Sequence, residues 1–386
     1  MAIGPEERDA FREMARSFAK RTVAPILEHE SADGDVSKIP DIVKTAKETG
    51  LLALPDPESP GFETGIWGRH ALEEGPEVSL MLLEELGVAC GGVAMNLHAA
   101  GLASLCIGMA GNLPEPLTSM PAIALFEGGF PMGPAVMESP DRDAPAKIMT
   151  QASKKGGSFV VHGKKEFVHQ CHGTDSYIVF AREGKDWLAL LIPSDTDGIE
   201  VKEIERRMGL RAGGCVDLDI KDAEVQASSA LDFPNGTPTA VMTLVSYWWL
   251  GSVAIAAGMA RGALLSARAY AHERYQGTTE IINHPGMRSL LSDSSARIMA
   301  ARGVLAEAVK EAGRPEKLLL AAAKAKLHGM NETAAAVTDS LQLFGGYGYM
   351  EDYGMEKRYR DINTLKSVGG GPRDIRAAIA ELEMEE

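Results

Sequence analysis

The feature that most constrains this fold is that the sequence periodicity changes twice along the 386-residue chain. Residues 1–118 carry apolar side chains at helical spacing, as at Phe11 and Phe18. Residues 119–232 hold short runs rich in β-branched and aromatic residues, separated by Gly, Asp and Lys turns. Residues 233–386 return to long stretches rich in Ala, Leu and Met. We therefore predict a mainly helical α+β protein with an N-terminal helical domain, a central β-barrel or β-sandwich domain and a C-terminal four-helix bundle.

Individual elements follow from the same patterns. Helices are predicted over residues 5–27, 40–55, 77–111, 241–275, 284–311, 315–344 and from about 374. Strands are predicted over residues 158–162, 176–182 and 187–192, and a Pro- and Gly-rich loop over 56–76.

Composition excludes several classes of function. The formal net charge of -15 argues against non-specific binding to nucleic acid or to an anionic membrane. The scattered cysteines form no CxxC pair, so we expect neither a metal site nor a disulfide framework. These cysteines are Cys90, Cys106, Cys171 and Cys215. The charged start of the chain and the absence of an evident long apolar run predict a cytoplasmic protein without a membrane span.

A glycine pair near the end of the chain is the strongest motif. Gly345 and Gly346 follow the predicted helix that contains Gln342. Adjacent glycines allow a backbone to approach a ligand closely, and exposed N–H groups there suit a pyrophosphate. The alternative interpretation is an ordinary glycine-rich helix end and turn.

The surrounding segment, QLFGGYGYMEDYGMEKRYRD from Gln342 to Asp361, resembles the C-terminal signature of acyl-CoA dehydrogenases. In that family the signature reads Q-x-x-G-G-x-G-Y, followed by an Arg-Asp pair. The resemblance implies that Gln342, Gly345 and Gly346 contact the FAD pyrophosphate of a neighbouring subunit. Arg274-Tyr-Gln-Gly277 resembles the family's R-x-Q-F-G without its Phe, which implies that Arg274 reaches the partner's FAD. The alternative for Arg274 is an exposed charge at a helix end.

Weaker landmarks of the family lie in the predicted β domain. Gly163 to Gln170 resembles G-x-K-x-W-I-T-N, which implies that Phe167, Val168 and His169 lie against the flavin. Ala135-Val-Met-Glu138 stands where the family has A-L-T-E, which implies that Met137 and Glu138 contact it too. A competing match is Ala124-Leu-Phe-Glu127.

The resemblance fails at the family's proton-abstracting carboxylate. Most members carry this Glu in a Y-E-G-T-x-x-I segment after the Arg-Asp pair, but residues 366–375 here read KSVGGGPRDI, with Gly369 or Gly370 at its position. Members that place the Glu on the first bundle helix would have it at Gly251. The usual base is therefore absent. The glycine run is expected to enlarge the pocket for a bulky or alicyclic acyl group, and Gly371 is expected to contact FAD.

Three side chains are candidates for a relocated base. His169 stands beside the flavin in the family's pattern, where a neutral imidazole can accept a proton or simply donate a hydrogen bond to the flavin. Glu84 and Glu85 lie in the helical region from which some alicyclic acyl-CoA dehydrogenases supply an Asp; their alternative is an amphipathic helix with two solvated glutamates. Asp374 is expected to cap the final helix.

The function predicted from the resemblance is FAD-dependent oxidation of an acyl-CoA, with electrons passing to an electron-transfer flavoprotein or similar acceptor. The shared FAD site implies a homotetramer or a hetero-oligomer. One alternative is a non-catalytic chain that holds FAD in a hetero-oligomeric dehydrogenase. Another is a lyase acting on a sulfinated acyl-CoA, with Arg373 as a cation for the anionic group. A purely structural module predicts a colourless protein.

Overall fold

The structure, a computed structural model, describes most of the chain. It covers residues 4–27, 36–52, 65–118, 132–138 and 148–384. The competing match at Ala124–Glu127 and much of the predicted loop over 56–76 lie outside these residues.

The N-terminal part consists of helices. They are α1 (Pro5–Phe18), continued by a π-helical turn (Ala19–Val23), α2 (Ala24–Leu27), α3 (Ile39–Glu48), α4 (Arg69–Glu74), α5 (Glu77–Ala89), α6 (Gly91–Met109) and α7 (Glu115–Thr118). The single helix predicted over 77–111 divides at Cys90, whose backbone is extended. The start of α6 packs closely against its neighbours. A Cβ on Gly91 would press on the Met259 sulfur, and one on Gly92 would come within 3.0 Å of Ala212.

The central part is one eight-stranded sheet. Its strands are β1 (Met132–Ala135), β2 (Gln151–Lys155), β3 (Ser158–Gln170), β4 (Ser176–Glu183), β5 (Asp186–Pro193), β6 (Ile199–Glu203), β7 (Gly214–Gln226) and β8 (Ala230–Leu231). Their order is β6-β7-β3-β2-β4-β5-β8, with β1 parallel to β4. Strand β3 extends well beyond the predicted residues 158–162 because two bulges keep it paired with β7.

The C-terminal part returns to long helices. They are α8 (Thr237–Glu273), α9 (Pro285–Val309), α10 (Pro315–Leu343), α11 (Met355–Leu365) and α12 (Pro372–Met384). A short hairpin of β9 (Tyr275–Gln276) and β10 (Thr279–Glu280) joins α8 to α9. Helix α8 packs on α5, α6, α9 and α10, so it connects the N-terminal helices to the bundle.

Two helices, α6 and α8, are long and apolar enough to cross a membrane by length and composition alone, with mean hydropathy 1.4 and 1.6. The expectation that the chain holds no such apolar run was therefore wrong. In both helices 89% of the apolar window is buried inside the protein. A helix that is apolar on every face is what the centre of a large helical core requires, and α6 and α8 occupy that position.

Candidate active site

A bulge in β3 places Phe167 on the surface of the sheet. The register between β3 and β7 shifts between Lys165 and Val168. Phe167 has a φ of 51°, a left-handed conformation that is uncommon for an aromatic residue. Its N–H donates to Asp217 Oδ1 at 3.0 Å, and its side chain is 50% exposed. The strained bulge thus presents an aromatic ring to whatever lies against this face, as backbone strain at functional sites often does.

His169 follows two residues later and is buried between the sheet and the bundle. It pairs with Cys215 of β7, and its ring meets the edge of Trp248 on α8, with the centroids 6.5 Å apart. Its Nδ1 is buried and has no hydrogen-bond partner in the described part of the chain. Burial, together with the charges of Arg207 and Lys326, lowers the pKa of His169 to about 3. The imidazole is therefore neutral at neutral pH, with an orphaned nitrogen.

The glycine loop, residues 366–371 between α11 and α12, forms a wall near Trp248. Gly369 has a φ of 68° and Gly370 a φ of 109°, conformations that side chains disfavour. A Cβ on Gly369 would lie 3.3 Å from the Trp248 indole. A Cβ on Gly370 would make only ordinary contacts, at 3.6 Å with Ile375 and 3.7 Å with Asp374. The indole therefore occupies the space next to Gly369. The predicted enlargement of the substrate pocket can come only from the space next to Gly370.

His98 of α6 lies on the other side of Trp248. Its Nε2 is 3.4 Å from the Trp248 carbonyl oxygen, and its side chain is buried. Burial lowers the pKa of His98 to about 4, so this ring too is neutral at neutral pH. A Cβ on Gly251 would overlap the His98 ring. The chain therefore has no room for a carboxylate side chain at Gly251.

Glu84 and Glu85 of α5 are held in ion pairs. Glu85 accepts hydrogen bonds from both Arg261 terminal nitrogens and lies 3.1 Å from Arg16 Nε. Glu84 accepts from Arg302 and lies 3.3 Å from Arg261 Nη1. These pairs connect α5 to α1, α8 and α9. Both carboxylates are paired with arginines and mostly shielded from solvent, so the alternative of two solvated glutamates does not hold. The structure therefore favours His169 over both as the candidate base.

Glu138 is also engaged within the protein. Its carboxylate pairs with Lys165 Nζ at 2.7 Å and accepts the N–H of Thr150 at 2.9 Å. The Glu138 side chain is 6% exposed and that of Lys165 is fully buried. This pair fixes the segment after β1 against β3, beside the Phe167 bulge. Glu138 therefore serves the site by anchoring that segment, while the preceding Met137 is only partly buried.

The predicted FAD-pyrophosphate residues form a second group at the ends of two bundle helices. Gln342, Gly345 and Gly346 are exposed at the end of α10, and a Cβ on either glycine would meet no atom within 4 Å. Arg274, at the end of α8, lies 5.4 Å above the ring centre of Tyr347. This open, basic surface is separate from buried His169. A separation between the predicted pyrophosphate residues and His169 is consistent with a site to which two subunits contribute.

Other predicted residues have structural partners. The Gly371 N–H donates to Asp374 Oδ2 at 2.8 Å, which confirms that Asp374 caps the start of α12. Arg373 is exposed in the first turn of that helix. A buried cation that the sequence did not single out, Lys326 of α10, donates to the Val368 carbonyl of the glycine loop. No local signal distinguishes Lys326 from the exposed lysines of the same helix.

Comparison with known proteins identifies the family. Models of the acyl-CoA dehydrogenase N-terminal, middle and C-terminal domains match residues 5–113, 139–223 and 239–382. The probable acyl-CoA dehydrogenase YngJ of Bacillus subtilis is 28% identical over 97% of both chains. The cyclohexane-1-carbonyl-CoA dehydrogenase of Syntrophus aciditrophicus is 27% identical, over 95% of this chain and 93% of that one.

A glutaryl-CoA dehydrogenase from Mycobacterium smegmatis, solved in complex with FADH2, superposes with a TM-score of 0.79 at 18% identity. The superposition covers 100% of this chain and 96% of that one. The aromatic bulge at Phe167, the orphaned nitrogen of His169 and the open glycines fit a bound flavin nucleotide. The chain therefore belongs to the acyl-CoA dehydrogenase family of FAD-dependent oxidoreductases.

Proposed function

We propose that this protein oxidises the Cα–Cβ bond of a bulky or alicyclic acyl-CoA thioester and that His169 accepts the α-proton. The observation that carries the proposal is the orphaned Nδ1 of His169. A buried polar atom without a partner costs about 1–3 kcal/mol, so a ligand that meets it is favoured. The carboxylates that the sequence offered as bases, Glu84 and Glu85, are already paired with arginines.

The residues that would hold FAD fall into the two groups described above. Phe167 and His169 would lie along the flavin on one subunit, whereas the side chain of Val168 between them is buried in the core of the β domain, so only its backbone could contact the flavin. Gln342, Gly345, Gly346 and Arg274 would hold the pyrophosphate for another subunit, because backbone N–H groups at a helix end and a cation suit phosphate oxygens. FAD, when bound, accepts the hydride that leaves Cβ. Because the second group is exposed and open, we propose a homotetramer or a hetero-oligomer.

The proton transfer depends on the tautomer of His169. In the tautomer with its proton on Nε2, Nδ1 is the acceptor, and the lowered pKa keeps the ring neutral throughout the physiological range. The thioester acidifies the α-proton, so a modest base suffices to remove it. A base whose pKa lies well below the working pH has little driving force to accept a proton. We therefore expect slower proton abstraction than a well-placed carboxylate would give.

The shape of the acyl group follows from the walls of the site. Trp248 and His98 are large buried rings, whereas Gly370 of the neighbouring glycine loop carries no side chain and has only ordinary contacts around its Cβ position. A compact ring fits between flat walls better than an extended chain does. The similarity to a cyclohexane-1-carbonyl-CoA dehydrogenase supports the same proposal. We further propose an electron-transfer flavoprotein as the acceptor and the cytoplasm as the compartment.

A second candidate function is a lyase reaction on a sulfinated acyl-CoA, in which the C–S bond breaks and no α-proton is abstracted. A proton from water replaces sulfur on the carbon atom, and the released sulfur dioxide takes up the remaining hydroxide to give hydrogen sulfite. The favouring observation is the basic character of the site. Burial lowers the pKa of His169 most, and the positive charges of Arg207 and Lys326 lower it further; the same two charges would favour an anionic group bound nearby. The buried cation in this version is Lys326 rather than the exposed Arg373. A third candidate is a non-catalytic chain that holds FAD for a different subunit. In that case the purified chain by itself would catalyse no reaction.

The test is an anaerobic titration of the purified yellow protein. Cyclohexanecarbonyl-CoA, butyryl-CoA and a sulfinated propionyl-CoA are added separately while the flavin absorbance is followed. The proposal predicts bleaching by the cyclic thioester and weaker bleaching by the linear one. Release of sulfite from the sulfinated thioester without bleaching would support the lyase instead. A stable yellow protein that responds to none of them would reject both, and a response that appears only with a second chain would support the third candidate.

A further inference from the structure

Two buried donors from different helices hold consecutive carbonyl groups of the glycine loop. Lys326 Nζ on α10 donates to the Val368 carbonyl. Trp249 Nε1 on α8 donates to the Gly369 carbonyl at 2.7 Å. Lys326 is 1% exposed and Trp249 is fully buried. Water therefore cannot replace either donor without a rearrangement of the core.

The loop needs such support because its own conformation is loose. Gly369 and Gly370 both have positive φ, and glycine has more conformational freedom to lose than any other residue. At the end of the loop, the Asp374 carboxylate already fixes the N–H of Gly371. Because a trans peptide is planar, directing the Gly369 carbonyl at Trp249 turns the Gly370 N–H to the opposite side. The two donors thus decide which backbone groups face the site.

We propose that Lys326 and Trp249 are positioning residues, which hold the glycine loop as a rigid wall of the acyl-CoA site. The expected effect of these residues on turnover rests on the proposed function. Their hydrogen bonds to the loop do not depend on it. Placing a substrate carbon within a fraction of an ångström is worth large factors in rate. A wall made of glycine backbone can supply that precision only when something else fixes it.

The surroundings of Lys326 explain why a lysine can stay buried there. Asp374 on α12 favours the charged ammonium, whereas burial disfavours it and lowers the pKa of Lys326 to about 7. His98 on α6 and His169 on β3 face the same region and are neutral. Either protonation state of Lys326 can donate to the Val368 carbonyl. The ammonium donates more strongly, because hydrogen bonds from charged groups are roughly twice as strong as neutral ones.

Hydrogen–deuterium exchange of the full-length holoprotein tests the hold directly. Peptides that cover residues 366–371 are compared in the wild type, Lys326→Met and Trp249→Phe. Each variant removes one donor; Met is close to Lys in length, and Phe keeps an aromatic ring although it is smaller than Trp. We expect exchange in the loop to be faster by about tenfold or more in each variant, as the loss of one buried hydrogen bond implies. Thr333→Val is the matched control on α10, because the buried Thr333 hydroxyl bonds only to its own helix.

Kinetics separate positioning from a merely structural role. With the acyl-CoA that bleaches the flavin best, Lys326→Met is expected to lower kcat at least tenfold with unchanged FAD content. Lys326→Arg, which keeps a charged donor, is expected to restore part of it. In the wild type, kcat is expected to fall as the pH rises through about 7, and this limb should vanish in Lys326→Met. Thr333→Val should leave kcat, the FAD content and the pH dependence of kcat unchanged.

Several outcomes would overturn the inference. Unchanged loop exchange in both variants would show that other contacts hold the loop. Faster exchange with unchanged kcat in an active enzyme would reduce the two residues to structural ones. If Lys326→Met fails to fold, Trp249→Phe carries the test alone, since it removes the Nε1–H donor while an aromatic ring stays in the core. If the wild type turns over no acyl-CoA, the proposed function fails, yet the exchange result still decides whether the donors hold the loop.

Discussion

Replacing Glu85 by Gln is expected to destabilise the protein by about 3 kcal/mol, because it breaks a buried ion pair. The Glu85 side chain is 5% exposed and contacts Arg261, Arg16 and, at 4.0 Å, Arg12. Removing one partner of such a pair costs about 3–5 kcal/mol, since the other charge stays behind. Glu84 remains 3.3 Å from Arg261 and offsets part of that loss, which favours the lower figure.

Urea unfolding at neutral pH measures this difference, with Glu48→Gln, an exposed glutamate of α3, as the matched control. Burial opposes the ionisation of Glu85, but hydrogen bonds from Arg261 and Arg16 outweigh it and lower its pKa below 4.5. The stabilisation is therefore fully present above about pH 4.5 and is lost as the pH falls through the lowered pKa. The gap between wild type and Glu85→Gln should close in acid. A gap of only about 0.5 kcal/mol at neutral pH, typical of a surface pair, would refute the reasoning.

Other predictions concern stability and cofactor retention. Gly369→Ala should destabilise by about 1–3 kcal/mol, since it puts a Cβ in a left-handed conformation against Trp248; chemical denaturation would show an unaltered midpoint if the loop were free to adjust. Lys165→Met should cost about 3–5 kcal/mol, because it removes one partner of the buried pair between Lys165 and Glu138; a loss below about 1 kcal/mol in the same assay would argue against a strong pair. Arg274→Ala should lower the FAD-to-protein ratio measured by absorbance while the unfolding midpoint of the apoprotein stays within error, because Arg274 is exposed; full FAD retention would count against its cofactor role.

The order of the three parts could be predicted because periodicity is a local property of the sequence. Apolar spacing distinguishes α8 from β4 without knowledge of what either packs against. The division at Cys90 could not be predicted in the same way. It lies beside Gly91 and Gly92, which pack closely against the bundle and the β domain. Local periodicity carries no information about such tertiary contacts. The predicted domain boundaries at 118/119 and 232/233 stay a prediction.

The residues of the site could be predicted where they belong to a sequence motif. They could not be predicted where their role depends on tertiary packing. The resemblance singled out His169 and Phe167, and the structure supplies the bulge and the orphaned nitrogen that give them chemical meaning. Nothing in the local sequence distinguishes His98 or Lys326 from the other polar residues of its helix, so their burial beside Trp248 and the glycine loop has no local signature. The pairing of Glu85 with Arg261 joins residues 176 positions apart, which spacing alone cannot reveal.

The central claim is that His169 accepts the α-proton, and isotope exchange measures that step apart from hydride transfer. The protein, loaded with FAD, is incubated anaerobically in deuterated water with the thioester that bleaches it best. Deuterium incorporation at Cα and flavin bleaching are then compared between the wild type and His169→Gln at equal FAD content. The account predicts that both processes slow by about a hundredfold or more in the variant, the usual contribution of a general base. Exchange and bleaching at wild-type rates in His169→Gln would contradict it.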